Sequence, residues 1–402
     1  MGPGDRVGIV LLVPGAPEDQ NDVFSYLYRR FMLPGLRTKG LRFWTSHLRS
    51  RLKARLATPR IISEYKAIGG GKSINRFSHE QAADLNRRLL ASSVLPDGVK
   101  TTTYLASPFG APSMKDAAQQ MAADGITHVV LLPLFPQYAA DTTGRALAYW
   151  EDMVMYLEIA ERPTVAVWEF AIRDSFVGAL NERIDQALQR FPRQLRSEVL
   201  LLFAAHGKTE KPSAVSGDPY CCLVHHTVDR VMEKRDDKRP FSLSFVQERG
   251  WGTGFANRLK VDLERLVNAG NRAVVVVPVD HVSEQFDSAY LLDVELRQLA
   301  ESKGMTHYQV ASGLNCHDLF MEGLTEMVLD SIIPSSRNAS QQDSCVGACP
   351  RSNWQMGPSG ENTSCIACPY SHTEEDARVL RPSKSHAQAA HQAGRPAIRR
   401  FE

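Results

Sequence analysis

None of the 402 residues falls in an apolar run near the ~20 residues that an α-helix needs to cross a bilayer. A membrane-spanning helix is therefore not expected. Charge of one sign is also missing: 47 Lys and Arg stand against 45 Asp and Glu, for a net charge of +2. That balance provides no global basic field, and no nucleic-acid partner is expected. Cysteine is scarce along most of the chain, since four of the seven crowd between Cys345 and Cys368. Such a distribution is not a disulfide framework spread over a secreted domain, and close pairs in a cysteine-poor chain suggest metal ligation. Met1 to Arg6 leads almost directly into an apolar strand and lacks both a secretory-signal pattern and an Arg-rich presequence. The expected location is cytoplasmic, with a mitochondrial, membrane-associated protein as the alternative.

What is present is the composition of a globular protein, 43% hydrophobic and 23% charged, long enough for two or three domains. Short apolar runs alternate with longer amphipathic ones. Val7–Val13, Thr127–Leu134, Thr164–Phe170, Glu198–Ala204 and Arg272–Pro278 read as buried strands. They are continuous and β-branched, as parallel strands covered on both faces are. Helical patterns lie between them. Ser78–Ser92 carries a capping-box signature in Ser78 and Gln81, and Ser113–Asp124 stops at Gly125. Asp174–Arg190 and Gly254–Ala269 also show helical spacing, the latter stopped by Gly270. The alternation predicts an α/β protein of two similar domains, each a doubly wound parallel sheet flanked by helices. After Ile333 the rhythm stops, and Ser, Asn, Gln, Pro and Gly predict an irregular extension.

Open α/β sheets bind ligands at the C-terminal ends of their strands. Those ends carry Pro14-Gly15-Ala16-Pro17, Phe135-Pro136-Gln137-Tyr138, Ala205-His206-Gly207, and Pro278 followed by Asp280, His281, Glu284 and Asp287. His206 ends a buried strand beside a glycine, so it can face a cleft as a proton acceptor or simply cap the strand; position alone leaves both open. Glu284 and Asp287, three residues apart, would share a side if a helix starts there, with His281 one turn earlier. Such a set could relay protons or hold a divalent metal, or it could be ordinary acidic enrichment at a helix start. Gly69-Gly70-Gly71 permits a tight turn, and Lys72 has no phosphate-loop spacing around it.

Cys345-x3-Cys349 and Cys365-x2-Cys368 form two close pairs, suited to tetrahedral Zn²⁺ or an iron–sulfur cluster. Cys221, Cys222 and Cys316 read as packing residues. In one early helix Phe24, Tyr26, Leu27, Tyr28, Phe31, Met32 and Leu33 could contact a membrane surface, although core packing is the favoured use.

The ordered motifs resemble those of ferrochelatases. Ile61-Ile62-Ser63-Glu64-Tyr65-Lys66-Ala67-Ile68-Gly69-Gly70-Gly71 is similar to that family's segment running into IGGG. Pro136-Gln137-Tyr138 with Thr142-Thr143-Gly144 resembles its PQY and TTG, Ala205-His206-Gly207 its AHG, and Gly217-Asp218-Pro219-Tyr220 its GDPY. Ser244-Phe245 with Gln247, Arg249 and Gly250, then Tyr290-Leu291-Leu292-Asp293 and Leu314-Asn315, resemble later anchors. The series keeps family order from Gly8 to Val328.

The resemblance implies two Rossmann-like, chelatase-type domains over 5–172 and 173–315, and a closing helix in 316–335. A cysteine-rich metal or cluster segment over 336–372 and a tail over 373–402 would follow. It implies insertion of Fe²⁺, as substrate, into a porphyrin in haem biosynthesis. His206 would accept pyrrole protons, with Asp287 and Glu284 as further catalytic groups. Tyr65, Tyr138 and Trp251 would line the cleft, with Pro14 and Phe109 also against the substrate, and the metal would meet His206, Asp287 and His281. By the same resemblance Cys345, Cys349, Cys365 and Cys368 would hold a [2Fe–2S] cluster, with structural zinc as the alternative. A monomer or homodimer with peripheral membrane contact is expected. Several cleft positions depart from the family: Gln285 stands where a histidine is usual, Asp287 where a glutamate is usual, and Pro108-Phe109 where an Arg-Tyr pair occurs. A catalytically weakened porphyrin- or haem-binding or sensing protein is therefore the alternative reading, and a chelatase for cobalt or nickel a third.

Overall fold

A computed structural model of the chain describes residues 2–32, 40–69, 72–207, 220–247, 257–285 and 288–333. Trp251, Asp287 and the four clustered cysteines lie outside the described residues, as do the segments expected over 336–372 and 373–402.

Four of the continuous apolar runs form strands at the centres of two sheets. In the first, β1 (Arg6–Leu12) and β3 (His128–Pro133) are flanked by β2 (Lys100–Ala106) and β4 (Thr164–Ala166), in the order β2-β1-β3-β4. In the second, β5 (Leu200–Gly207) and β7 (Ala273–Pro278) are flanked by β6 (Phe241–Gln247) and β8 (His307–Val310), in the order β6-β5-β7-β8. Every neighbouring pair is parallel. The fold is thus α/β with two parallel sheets. The strand expected over 164–170 is shorter, because the chain leaves the sheet after Ala166 and buries Phe170 against Phe176 and Phe320. The strands absent from the expectation, β2, β6 and β8, are all at sheet edges, where polar residues such as the Thr101–Thr103 run are tolerated.

The helices explain why the central strands are apolar on both faces. Val7, Ile9 and Leu11 of β1 and Leu201, Phe203 and Ala205 of β5 enter one shared core. That core is completed by α3 (Lys72–Leu90), α6 (Asp174–Gln189), α7 (Tyr220–Arg235) and α10 (Asp318–Ile332). The alternate residues point outward. Val10 and Leu12 meet α4 (Met114–Ala123) and α5 (Arg145–Val154). Leu200 and Leu202 meet α8 (Asn257–Asn268) and α9 (Leu296–Ser302). The two sheets therefore share buried surface, at roughly 1.5–3 kcal/mol for each fully buried large side chain.

α10 closes the fold against α6 and α3. A Cβ at Gly323 would lie 2.7 Å from Cβ of Ser175, so only glycine lets α10 approach α6 this closely. Ser113 caps α4: its hydroxyl accepts from the Asp116 amide, and the Asp116 carboxylate accepts from the Ser113 amide. Ser78 does not cap a helix as expected, because α3 already starts at Lys72. Gln81 instead is buried and donates to the Asn315 carbonyl at 2.9 Å, a tertiary bond in place of a local one.

Two π-helical segments occupy matching places in the halves. Ala140–Gly144 follows β3 and leads into α5, and Ser288–Glu295 follows β7 and leads into α9. Single π turns inside helices are frequent at functional sites.

The early part of the chain forms α1 (Val23–Met32) and α2 (Leu41–Ala67). Val23, Tyr26 and Leu27 of α1 pack with Ala54 of α2, so the aromatic face of α1 is mostly interior.

Candidate functional site

The site begins with strand register. β5 and β7 are parallel neighbours, with Ala204 opposite Pro278. Two residues further along each strand stand His206 and Asp280. At this point the ladder gives way to side chains. The His206 amide donates to Asp280 Oδ2 at 2.8 Å, and His206 Nδ1 lies 2.9 Å from the same oxygen. Tyr220, the first residue of α7, donates its hydroxyl to it at 2.8 Å. His281 follows in sequence, its Nδ1 3.4 Å from Asp280 Oδ1. The rings of His206 and His281 meet edge to face, 4.7 Å between centroids.

Asp280 is buried among these groups. Burial alone would raise its pKa, but His281, His206 and the hydrogen bonds from His206 outweigh that and hold it well below the usual carboxylate range. An ionised carboxylate can only accept, so the proton between it and His206 sits on Nδ1. In the neutral imidazole Nε2 is then the unprotonated nitrogen, oriented by the bond behind it. His206 is half-buried, whereas Asp280 and His281 are nearly inaccessible.

Ala204, Ala205, Val246, Pro278, Leu291 and Leu292 complete the lining of a small pocket of about 10 Å³ that contains His206, Asp280 and His281. That is space for about one water molecule, far below the roughly 300–1,000 Å³ of small-molecule pockets. Segments 208–219, 248–256 and 286–287, which follow β5, β6 and β7 closely, lie outside the described residues. The first half of the chain is tied to this point by Gln137. Its amide nitrogen donates to Thr227 Oγ1 at 2.9 Å and to the Val279 carbonyl at 3.1 Å, one residue before Asp280. α2 also touches the π-helical segment that carries Leu291 and Leu292.

The residues singled out in the sequence are placed as follows. His206 and His281 come together around Asp280. Glu284 stands apart: it is in no helix and does not line the pocket. Its amide donates to Asn315 Oδ1 at 3.1 Å, and its charge favours the protonated form of Arg183, whose pKa burial lowers. Tyr65 is buried at the end of α2. Tyr138 lies at the junction of the halves, 5.9 Å from Trp168 and packed with Ala171, Ile172 and Leu223. Pro14 is half-buried, its carbonyl accepting from Ser107 Oγ at 3.0 Å. Phe109 packs edge-on to Tyr26 in the α1–α2 cluster. Asp280 and Tyr220 are the site residues that sequence reasoning did not select. The signal for Asp280 was its place two residues beyond Pro278, matching that of His206 two residues beyond Ala204, once β5 and β7 are known to be neighbours.

A sequence model of the ferrochelatase family matches residues 6–332. The ferrochelatase of Gloeobacter violaceus is 29% identical over 338 residues, covering 83% of this chain and 99% of that protein. That of Synechococcus elongatus is 30% identical over 327 residues, covering 80% and 82%. That of Trichodesmium erythraeum is 28% identical over 362 residues, covering 88% and 90%. Among solved structures, SirB from Bacillus subtilis with Fe3+ aligns with a TM-score of 0.47 at 13% identity, covering 81% of this chain and 95% of that one. That likeness is too distant to carry function.

The depressed pKa of Asp280 links the site to stability. The folded value lies below the ordinary 3.8, so its contribution is complete above pH 3.8 and is lost as pH falls from there toward the folded value. Asp280→Asn is expected to lose less stability than the parent protein between about pH 4 and about pH 2. Urea unfolding at several pH values measures this, and equal acid sensitivity in the two proteins would contradict the assignment.

Proposed function

The chain belongs to the ferrochelatase family, and on that premise we propose that it inserts Fe²⁺ into a porphyrin with His206 as acceptor of pyrrole protons. The carrying observation is the imidazole near the end of β5, with Nδ1 bound to a buried carboxylate. Two pyrrole N–H protons must leave as the metal enters, and an imidazole held in one orientation suits that exchange. Asp280 acts through His206: it orients the ring and stabilises the charge that a proton brings. A buried anion does this more strongly than one in water, because the local dielectric is lower. Tyr220 holds that carboxylate from its third side.

We further propose that the protein works in the cytoplasm at a membrane surface, through α2 rather than α1. Trp44, Leu48, Leu52 and Leu56 recur every four residues along α2 and are all at least half exposed. Arg42, Arg49, Arg51 and Arg55 are exposed along the same helix, and no acidic residue occurs in it before Glu64. Apolar residues beside arginines favour the interface of an anionic bilayer, with about 1 kcal/mol for each cation near the surface. Among the described residues, no helix is long and apolar enough to cross a membrane. The four clustered cysteines suit a [2Fe–2S] cluster, with structural zinc as the alternative.

Three measurements test these statements. Anaerobic mixing of the purified chain with protoporphyrin or coproporphyrin and Fe²⁺ should give metalloporphyrin absorbance. His206→Ala should reduce the rate by about 10²-fold or more; porphyrin binding without turnover in the parent protein would favour the weakened, binding-only alternative. The triple variant Leu48→Ser, Leu52→Ser, Leu56→Ser should bind anionic vesicles at least about tenfold more weakly at unchanged turnover of a water-soluble porphyrin, and unchanged vesicle binding refutes the α2 surface. Protein purified without oxygen should be coloured and contain two irons per chain if the cluster is present, whereas a colourless protein with one zinc reverses that choice.

A further inference from the structure

Past Pro278 the chain leaves the second sheet, and residues 279–285 belong to no helix or strand. Asp280 and His281 sit on this stretch, so their placement depends on what grips it from outside. Before Asp280, the Val279 amide donates to the Ala204 carbonyl at 3.0 Å, and the Val279 carbonyl accepts from Gln137 at 3.1 Å. Beyond His281, the Val282 carbonyl accepts from the Asn315 amide at 2.8 Å, and the Glu284 amide donates to Asn315 Oδ1 at 3.1 Å. We propose, on the reading of His206 as proton acceptor, that Asn315 backed by Gln81 is a positioning residue that holds Asp280 in place against His206.

The residue type at 315 answers two demands at once. Asn315 lies in the turn between β8 and α10 with a φ of 51°, in the left-handed region. Among residues other than glycine, Asn and Asp enter that region most readily. Both its amide and its Oδ1 reach the same stretch, at Val282 and at Glu284. Glycine could take this backbone conformation but not make the Oδ1 bond. Close approach of the two segments supports the pairing. A Cβ at Gly313 would lie 2.7 Å from the Glu284 nitrogen and 2.9 Å from the Ser283 carbonyl carbon, so the two backbones are in direct contact. A shift at 313–315 therefore passes to 283–284.

Asn315 is in turn gripped from the first half of the chain. Gln81 of α3 is fully buried and donates to the Asn315 carbonyl at 2.9 Å. Two glutamines of the first half thus bracket the stretch that bears Asp280 and His281. Gln137 holds its beginning directly, and Gln81 holds its end through Asn315. Asn315 does not line the His206 pocket, so it acts through the backbone of its neighbours.

The test uses the full chain labelled with ¹⁵N-histidine and free of porphyrin. The downfield N–H resonance of the His206–Asp280 pair is identified by its loss in His206→Ala. Asn315→Gly keeps the backbone conformation and removes Oδ1, and it should move or broaden that resonance. Asn315→Asp keeps an acceptor oxygen and should restore it. In turnover, Asn315→Gly should lower kcat about tenfold with KM for porphyrin within about twofold, and Asn315→Asp should recover most of kcat. Val267→Ala, in the outer core beside α8, should cost stability without moving the resonance. Near-ultraviolet circular dichroism checks folding. If Asn315→Gly does not fold, Gln81→Met, which removes the donor to the Asn315 carbonyl, decides by the same resonance. An unmoved resonance in the folded variant overturns the proposal, as do equal losses in Asn315→Gly and Asn315→Asp. Turnover indifferent to His206→Ala refutes the proton-acceptor reading alone, since the resonance is read without substrate and still decides whether Asn315 holds the pair.

Discussion

Parallel pairing of β5 with β7 in one register puts His206 beside Asp280, and a slip of one residue would turn either side chain to the opposite face of the sheet. The remaining features of the site follow from that pairing. Residues Leu200 to Ala205 and Ala273 to Pro278 are buried on both faces, so alternate side chains are committed to two different cores. The register is held by that packing over most of each strand's length. Polar side chains appear only past the last residues that β5 pairs with β7, and there bonds to a carboxylate replace the ladder between those two strands.

The shared core extends the same constraint to the whole chain. α6 and α7 pack against the second sheet, α3 and α10 against the first, and their buried residues form one cluster. Gln137 then crosses between the halves with two buried hydrogen bonds, one of them to the residue before Asp280. Leaving that amide unpaired would cost about 1–3 kcal/mol. The motif of the first half therefore acts as a brace for the site of the second.

A buried carboxylate behind the His206 imidazole holds the ring from one side. The surrounding apolar walls, Val246, Leu291 and Leu292 among them, strengthen that interaction by lowering the local dielectric. The π-helical segment that carries the two leucines also touches α2, the helix with the exposed Trp44–Leu56 stripe. The His206 pocket and the proposed membrane face are thus connected through packed structure.

By itself the sequence determined the α/β class, the central strands and the place of His206. Each of these follows from local pattern: continuous apolar runs mark strands buried on both faces, and the first polar residue after such a run marks the strand's functional end. Edge strands were not legible, because β2 and β8 face water in part and carry the polar residues that water permits. Ser78 was misleading for a related reason, since a local capping pattern does not register that Gln81 is needed by a carbonyl 234 residues away. Only the tertiary structure decided that Asp280, 74 residues from His206, shares its hydrogen bonds, and that the charge of Glu284 acts on Arg183. Strand order and register settle which distant residues meet, and they arise from the packing of whole faces, which no short motif encodes.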